Sequence, residues 1–259
     1  MPDILYEDDS LLTVRKPAGQ ESQRGRDLSM DLESELKNYL ARSTHRPDPY
    51  LAVVHRLDRP VAGVMVYAKT KNAAAVLSRS FSKGENQKEY EALTLGVPGN
   101  SEGTLTDWIL PAAGSNYSLI ADLPDSSAPE VKGARRAVLK YHVIPESELE
   151  CFSVDSEADS FGEHRILCGG RSIGSAADGA VSGIGRLRIT LLTGRHHQIR
   201  VQLAHAGCPV LGDTKYGRPA DGIRIRRGAV ALAAVKLSLR HPATGRIMTF
   251  TWDGRIIYD

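Results

Sequence analysis

Two stretches of this sequence concentrate polar side chains against apolar surroundings. They are Val53-Val54-His55-Arg56-Leu57-Asp58-Arg59-Pro60 and Thr193-Gly194-Arg195-His196-His197-Gln198-Ile199-Arg200. Asp58 stands between arginines at 56 and 59, and a carboxylate close to cations stays ionised. A permanently charged aspartate at the start of a strand can act as a nucleophile, a general base or an electrostatic stabiliser. The same residue types equally suit a carboxylate that caps a loop or pairs with a surface arginine. His55, His196, His197 and His205 lie among aspartates, but adjacent histidines do not share a helix face, and the i, i+4 histidine pair with an intervening Glu is missing. Neither Gly-rich phosphate loop, G-x-x-x-x-G-K-[ST] or G-x-G-x-x-G, occurs. The chemistry expected is that of a site without metal or cofactor, beside a basic face.

The basic face is inferred from charge distribution. The net charge of +2 hides a division. Residues 101–160 carry four Lys/Arg against eleven Asp/Glu, whereas residues 186–227 carry nine against two. Local fields matter more to a polyanion than the total, so the second stretch is a candidate phosphate-binding face; a solvated surface with scattered arginines has the same composition.

Several elements must position these segments. Residues 9–15 read as a short strand ended by the turn former Pro17-Ala18-Gly19. Leu28, Leu32, Leu36 and Leu40 are four apart and predict a helix over 28–42. Gly63-Val64-Met65-Val66-Tyr67-Ala68 reads as a strand buried on both faces, followed by a helix capped by Asn72 and stopped by Gly84. Further strands are expected from Tyr90 to Val97 and at 134–144, 186–192, 230–239 and 246–252. Pro242-Ala243-Thr244-Gly245 turns between the last two. Ile199, Leu203 and Ala206 recur at helical intervals between Arg195 and Ala206. Residues 153–185, with six serines and seven glycines, predict a surface insertion in one continuous α+β domain over 1–259.

At 259 residues, 25% charged and 41% hydrophobic, the chain has an ordinary globular balance. The longest apolar run, Ala229 to Val235, is far short of the ~20 residues a membrane-spanning helix needs. The acidic N-terminus lacks the pattern of a signal peptide. Cys151, Cys168 and Cys208 are widely spaced without a CxxC, which suits reduced thiols in the cytoplasm.

Five ordered motifs make the sequence similar to the RluA-type pseudouridine synthases, which isomerise uridine to pseudouridine in structured RNA. Lys16-Pro17-Ala18-Gly19 resembles the family's N-terminal turn, and His55-Arg56-Leu57-Asp58 followed by Gly63 its catalytic motif. Lys88-Glu89-Tyr90-Glu91-Ala92 resembles the K-x-Y-x-A strand. Residues 193–200 with Gly207-Cys208-Pro209-Val210-Leu211-Gly212-Asp213 and Tyr216-Gly217 resemble the C-terminal signature, and His241-Pro242-Ala243-Thr244-Gly245 the closing hairpin. The chain departs from the pattern at Arg15 (commonly Asn), Val61-Ala62 (commonly Thr-Ser), His196 (Thr or Ser) and Ala233 (often His). With its first family motif already at Lys16, the chain is expected to lack the small N-terminal RNA-binding domain of many relatives.

The resemblance implies a mixed, largely antiparallel sheet with peripheral helices, no cofactor, and rRNA or tRNA as substrate; nothing in the sequence demands more than a monomer. It makes Asp58 the catalytic carboxylate, which either attacks the ribose or removes its 2′ proton. Arg200 resembles the arginine that pairs with this aspartate, and Tyr90 the tyrosine that lies against the base and takes the proton from carbon 5. Arg56 resembles the side chain that fills the RNA stack when the target base leaves it. Together with His55, Arg195, His197, Gln198 and Lys215 it makes up the expected RNA contacts. A binder without catalysis would have no need of a carboxylate facing phosphates, and a metal-dependent hydrolase would lose activity to a chelator.

Overall fold

The computed structural model describes residues 1–25, 29–121, 132–145, 183–217 and 228–252. The chain falls into two compact units, one comprising 1–90, 227–229 and 233–254, the other 91–226, 230–232 and 255–259.

The first unit is built around β4 (Ala62–Ala68), the apolar stretch beside the first polar segment. β2 (Leu11–Lys16) runs antiparallel along one flank of β4, from Gly63 to Ala68, and β1 (Asp3–Glu7) pairs outside β2. The opposite flank of β4 is shared. β10 (Leu232–Arg240) runs parallel to it at Ala62 and Gly63, while the two-residue β3 (Ala52–Val53) pairs antiparallel at Tyr67 and Ala68. β11 (Ile247–Thr251) closes a hairpin on β10, as the turn at 242–245 predicts.

Strand alternation gives β4 two buried faces. Val64, Val66 and Ala68 pack with Ala73 and Leu77 of α2 (Lys71–Lys83) and with Leu237, Leu239 and Phe250. Tyr67, on the other phase, is fully buried and donates its hydroxyl to the Ser22 carbonyl oxygen at 2.7 Å. α1 (Leu32–Thr44) buries Leu32, Leu36 and Leu40, and Asp31 caps it by accepting from the Ser34 amide; Leu28 lies outside the described residues. α2 begins two residues earlier than Asn72 predicts. Thr70 is the cap, its Oγ1 accepting from Ala73 N–H at 3.1 Å, which places Asn72 inside the first turn. Gly84 ends α2 in the left-handed conformation, as expected.

The second unit orders its strands β5-β9-β8-β6-β7. β5 (Gln87–Leu95) enters this unit at Glu91. β6 (Glu102–Pro111) and β9 (Ile184–Leu191) both pair antiparallel with β8 (Arg135–Val143), and β7 (Ser118–Ile120) pairs antiparallel with β6. α3 (Gln198–His205) starts three residues after Arg195, because His197 adopts a left-handed conformation (φ 54°) that a regular helix does not admit. Largely antiparallel pairing with peripheral helices makes this an α+β fold. β1, β3, β6 and β7 were not expected from the sequence. β9 begins at Ile184, and most of the predicted 153–185 insertion lies outside the described residues.

Candidate active site

The first polar segment is the reversal between β3 and β4, two antiparallel strands joined by residues 54–61. Backbone contacts hold both sides of Asp58. On its N-terminal side, the Ser22 hydroxyl donates to the Leu57 carbonyl at 2.8 Å and accepts from the Leu57 amide at 3.2 Å. On its C-terminal side, the Arg59 carbonyl accepts from Gly19 N–H at 2.8 Å and from Lys16 Nζ at 3.1 Å. The Arg59 Nε returns a hydrogen bond to the Gly19 carbonyl at 3.0 Å. Val61 N–H closes a turn onto the Asp58 carbonyl. The loop bearing the carboxylate is therefore stitched to residues 16–22, and Asp58 itself is half-buried.

Lys16 is the unexpected member of this arrangement. It follows Leu12 and Val14 on the inward phase of β2 and is fully buried. All three ammonium protons have carbonyl acceptors, on Pro17 (2.9 Å), Gln20 (2.7 Å) and Arg59. Burial pushes its pKa down to about 7, and the Asp58 charge opposes that fall. The signal in the sequence was a lysine at a core position of an apolar strand, directly before Pro-Ala-Gly.

Tyr90, the last residue of the first unit, is 8% exposed. Burial raises its pKa and the negative charge of Asp58 raises it further. Its hydroxyl therefore stays protonated at neutral pH and lies within the field of the carboxylate. Arg56 is exposed two residues before Asp58. His55 faces inward: its Nε2 accepts from Val66 N–H at 3.0 Å and its ring stacks on Phe81 at 4.4 Å.

The second polar segment forms a network within the second unit. Arg200 is 3% exposed and grips Asp213 with two hydrogen bonds, Nε to Oδ2 at 2.7 Å and Nη2 to Oδ1 at 2.8 Å. That pairing holds the Asp213 carboxyl below the usual range against the opposing effect of burial. The Arg200 guanidinium also lies 5.3 Å from the centre of the Tyr216 ring. The Tyr216 hydroxyl accepts from Ser118 N–H and sits 2.7 Å from His197 Nδ1. Gln198 is buried, its Oε1 accepting from the Thr193 hydroxyl and the Arg195 amide while its Nε2 donates to Gln202. Arg195 donates to the Arg136 carbonyl, and Lys215 to the Asn116 carbonyl.

The charge count had made 186–227 one basic face, and the structure divides it. Arg186 and Arg188 both pair with Glu91, a buried acid ninety-odd residues away in sequence, and Arg200 pairs with Asp213. Arg218, Arg224, Arg226 and Arg227 lie outside the described residues. Among the described residues, no group of three or more His, Cys, Asp and Glu side chains could hold a metal ion.

Comparison with known proteins agrees with this geometry. The family described as RNA pseudouridylate synthase matches residues 10–205. The chain is 32% identical over 247 residues to the Dual-specificity RNA pseudouridine synthase RluA of Escherichia coli strain K12, covering 95% of this chain and 90% of that protein. It is 31% identical over 268 residues to the Ribosomal large subunit pseudouridine synthase D of Vibrio cholerae, covering 95% of this chain and 65% of that protein. Among solved structures, Human RNA Pseudouridylate Synthase Domain Containing 4 shares the fold, with a TM-score of 0.65 and 23% identity over 98% of this chain and 89% of the human one. The family match along most of the chain, with the motifs of both polar segments inside it, places this protein in the RNA pseudouridylate synthase family as an RluA-type isomerase of uridine in RNA.

Proposed function

We propose that Asp58 is the catalytic carboxylate for conversion of specific uridines in structured rRNA or tRNA to pseudouridine. The observation that supports this most is the double anchoring of its loop: Ser22 holds Leu57 and Lys16 with Gly19 holds Arg59, so the residue between them is presented on a rigid frame. In the reaction the bond from ribose C1′ to N1 breaks, the base turns, C5 bonds to C1′, and the C5 proton leaves while N1 gains one. Nothing is oxidised or hydrolysed. Whether Asp58 attacks C1′ or removes the 2′ proton, it must begin ionised.

Tyr90 acts in this reading against the base. Part of the rise in its pKa comes from the Asp58 charge, and that part disappears once the carboxylate is esterified or protonated. The phenol can then give up its own proton more readily, so that as one proton reaches N1 the resulting phenolate takes the one leaving C5. Arg200 serves as the catalytic arginine by its position in the C-terminal signature. Exposed Arg56 is suited to enter the RNA stack as the uridine is extruded, an event that costs about a few kcal/mol. Arg195, His197, Gln198 and Lys215 support the RNA-facing surface.

The ribosomal large subunit is named for the Vibrio relative, and we extend that substrate class to this chain; tRNA stays in the proposal through the family resemblance of the motifs. Both units belong in this reading to one catalytic domain that acts as a monomer in the cytoplasm. Among the described residues no helix is long and apolar enough to cross a membrane. The test is Asp58→Asn. Tritium release from RNA labelled at uridine C5 is expected to vanish while RNA affinity stays within about tenfold of the parent. Retained turnover overturns the assignment.

A further inference from the structure

We infer that His55 is a positioning residue: its imidazole stands in for a strand carbonyl on the flank of β4 and thereby sets the path of the loop that carries Asp58. The inference rests on the reading of Asp58 as the catalytic carboxylate.

Among the described residues, strands pair with the flank of β4 opposite β2 at each end and not between. β10 pairs at Ala62 and Gly63, and β3 pairs at Tyr67 and Ala68. β3 ends at Val53, and the chain turns away at Val54. Continued pairing would have brought Val54 opposite Val66. Val66 is fully buried, so its N–H has no access to water, and a buried amide left without an acceptor is strongly disfavoured.

His55 Nε2 lies 3.0 Å from that nitrogen and accepts its proton. The chain thus leaves the sheet after Val53 without orphaning the Val66 amide, and the released residues form the loop that bears Asp58. The bond defines the chemical state of the ring. Nε2 must be unprotonated to accept, so a neutral imidazole carries its proton on Nδ1.

Two neighbours keep the ring in place and in that state. Phe81 of α2 stacks on it at 4.4 Å with only 12° between the planes, which limits rotation about χ2. Burial, assisted by the positive charge of Lys88 on β5, lowers its pKa to about 3. A ring fixed to β4 on one side and to α2 on the other holds the first residue of the His55-Arg56-Leu57-Asp58 segment. Ser22 then holds its third residue through the Leu57 backbone. The sequence had grouped His55 with the RNA contacts. Its ring, on a half-buried residue, meets Val66 of β4 and Phe81 of α2.

Two substitutions separate the acceptor from the ring. Gln places a carbonyl oxygen close to where Nε2 lies, whereas Phe keeps a flat ring against Phe81 and removes the acceptor. His55→Phe is expected to lower the single-turnover rate at saturating RNA by about a hundredfold, the scale of a small misplacement of a reacting group. His55→Gln should stay within about tenfold of the parent rate, and both should bind RNA with near-parental affinity. Hydrogen exchange should show the Val66 amide protected in the parent and in His55→Gln but not in His55→Phe. Weakened RNA binding in both variants with normal rates at saturation, and a Val66 amide still protected in His55→Phe, would overturn the inference and make His55 an RNA contact.

If His55→Phe does not fold, imidazole nitrogen chemical shifts of the parent decide. A fixed Nδ1–H tautomer without titration from pH 5 to 8 is expected, and titration near the ordinary histidine value overturns the inference. The exchange and tautomer measurements read the geometry without catalysis. An active Asp58→Asn enzyme with a His55-dependent Val66 amide would therefore remove only the catalytic reading.

Discussion

Gly63 of β4 and Ala234 of β10 stand opposite each other in a parallel strand pair, and a methyl group built on Gly63 would lie 2.3 Å from the Ala234 carbonyl oxygen. The same methyl would fall 2.5 Å from the Ala234 nitrogen, so backbone and not a movable side chain is in the way. Gly63 also has a φ of +133°, a conformation L side chains rarely adopt. Its neighbour Ala62 pairs with Ala233, so two of the positions at which this chain departs from the family pattern face each other across the same two strands. Alanine on both sides keeps that approach free of polar groups in need of partners.

Gly63→Ala should therefore destabilise the protein by about 3 kcal/mol or more, combining backbone strain with forced separation of β4 from β10. Urea unfolding checks this. A loss under about 1 kcal/mol would mean the strands part easily and the close approach is not needed.

Arg200 and Asp213 are both buried, so Arg200→Leu should leave an uncompensated carboxylate and cost about 3–5 kcal/mol. Adding Asp213→Asn removes the charge while keeping an acceptor for the Lys215 and Tyr216 amides, and should restore part of the stability. If the double variant is folded but inactive, Arg200 serves the reaction as well as the fold. Recovered turnover alongside recovered stability would confine it to a structural role.

Tyr90→Phe preserves the ring and its burial and removes the hydroxyl. RNA affinity should change little while product formation in a single turnover falls by at least about a hundredfold, the scale of a lost general acid or base. Full activity would restrict Tyr90 to packing against the base.

His55 also makes stability depend on pH. Unfolded, its imidazole takes a proton near pH 6.5; folded, burial first and Lys88 second delay this to about 3. The unfolded chain therefore binds more protons as pH falls through 6.5, and native stability drops with it. Between pH 6.5 and 5 the parent should lose up to about 2 kcal/mol more than His55→Gln, which has no such proton to take up. Parallel urea titrations at the two pH values test the difference. Identical losses would mean that His55 titrates normally in the native state.

Local order was legible in the sequence wherever a short range of residues decides it. The unbroken apolar run of β4, the leucines of α1 at helical spacing, the glycine that ends α2 and the turn between β10 and β11 each depend on neighbours within a few residues. The motif residues around Asp58, Tyr90 and Arg200 were legible for the same reason, because they lie in three contiguous segments. β1 and β6 escaped because their alternation runs through acidic and threonine residues, and only pairing with β2 and β8 covers them. What tertiary structure alone decided were the partners. Glu91 meets Arg186, Ser22 meets Leu57, Lys16 meets Arg59 and His55 meets Val66 across sequence separations no periodicity encodes. A charge or a hydrogen-bonding group has no assigned partner until strands are in register. A count of arginines could therefore suggest a basic face, but only the fold showed which of them already had a buried acid to neutralise them.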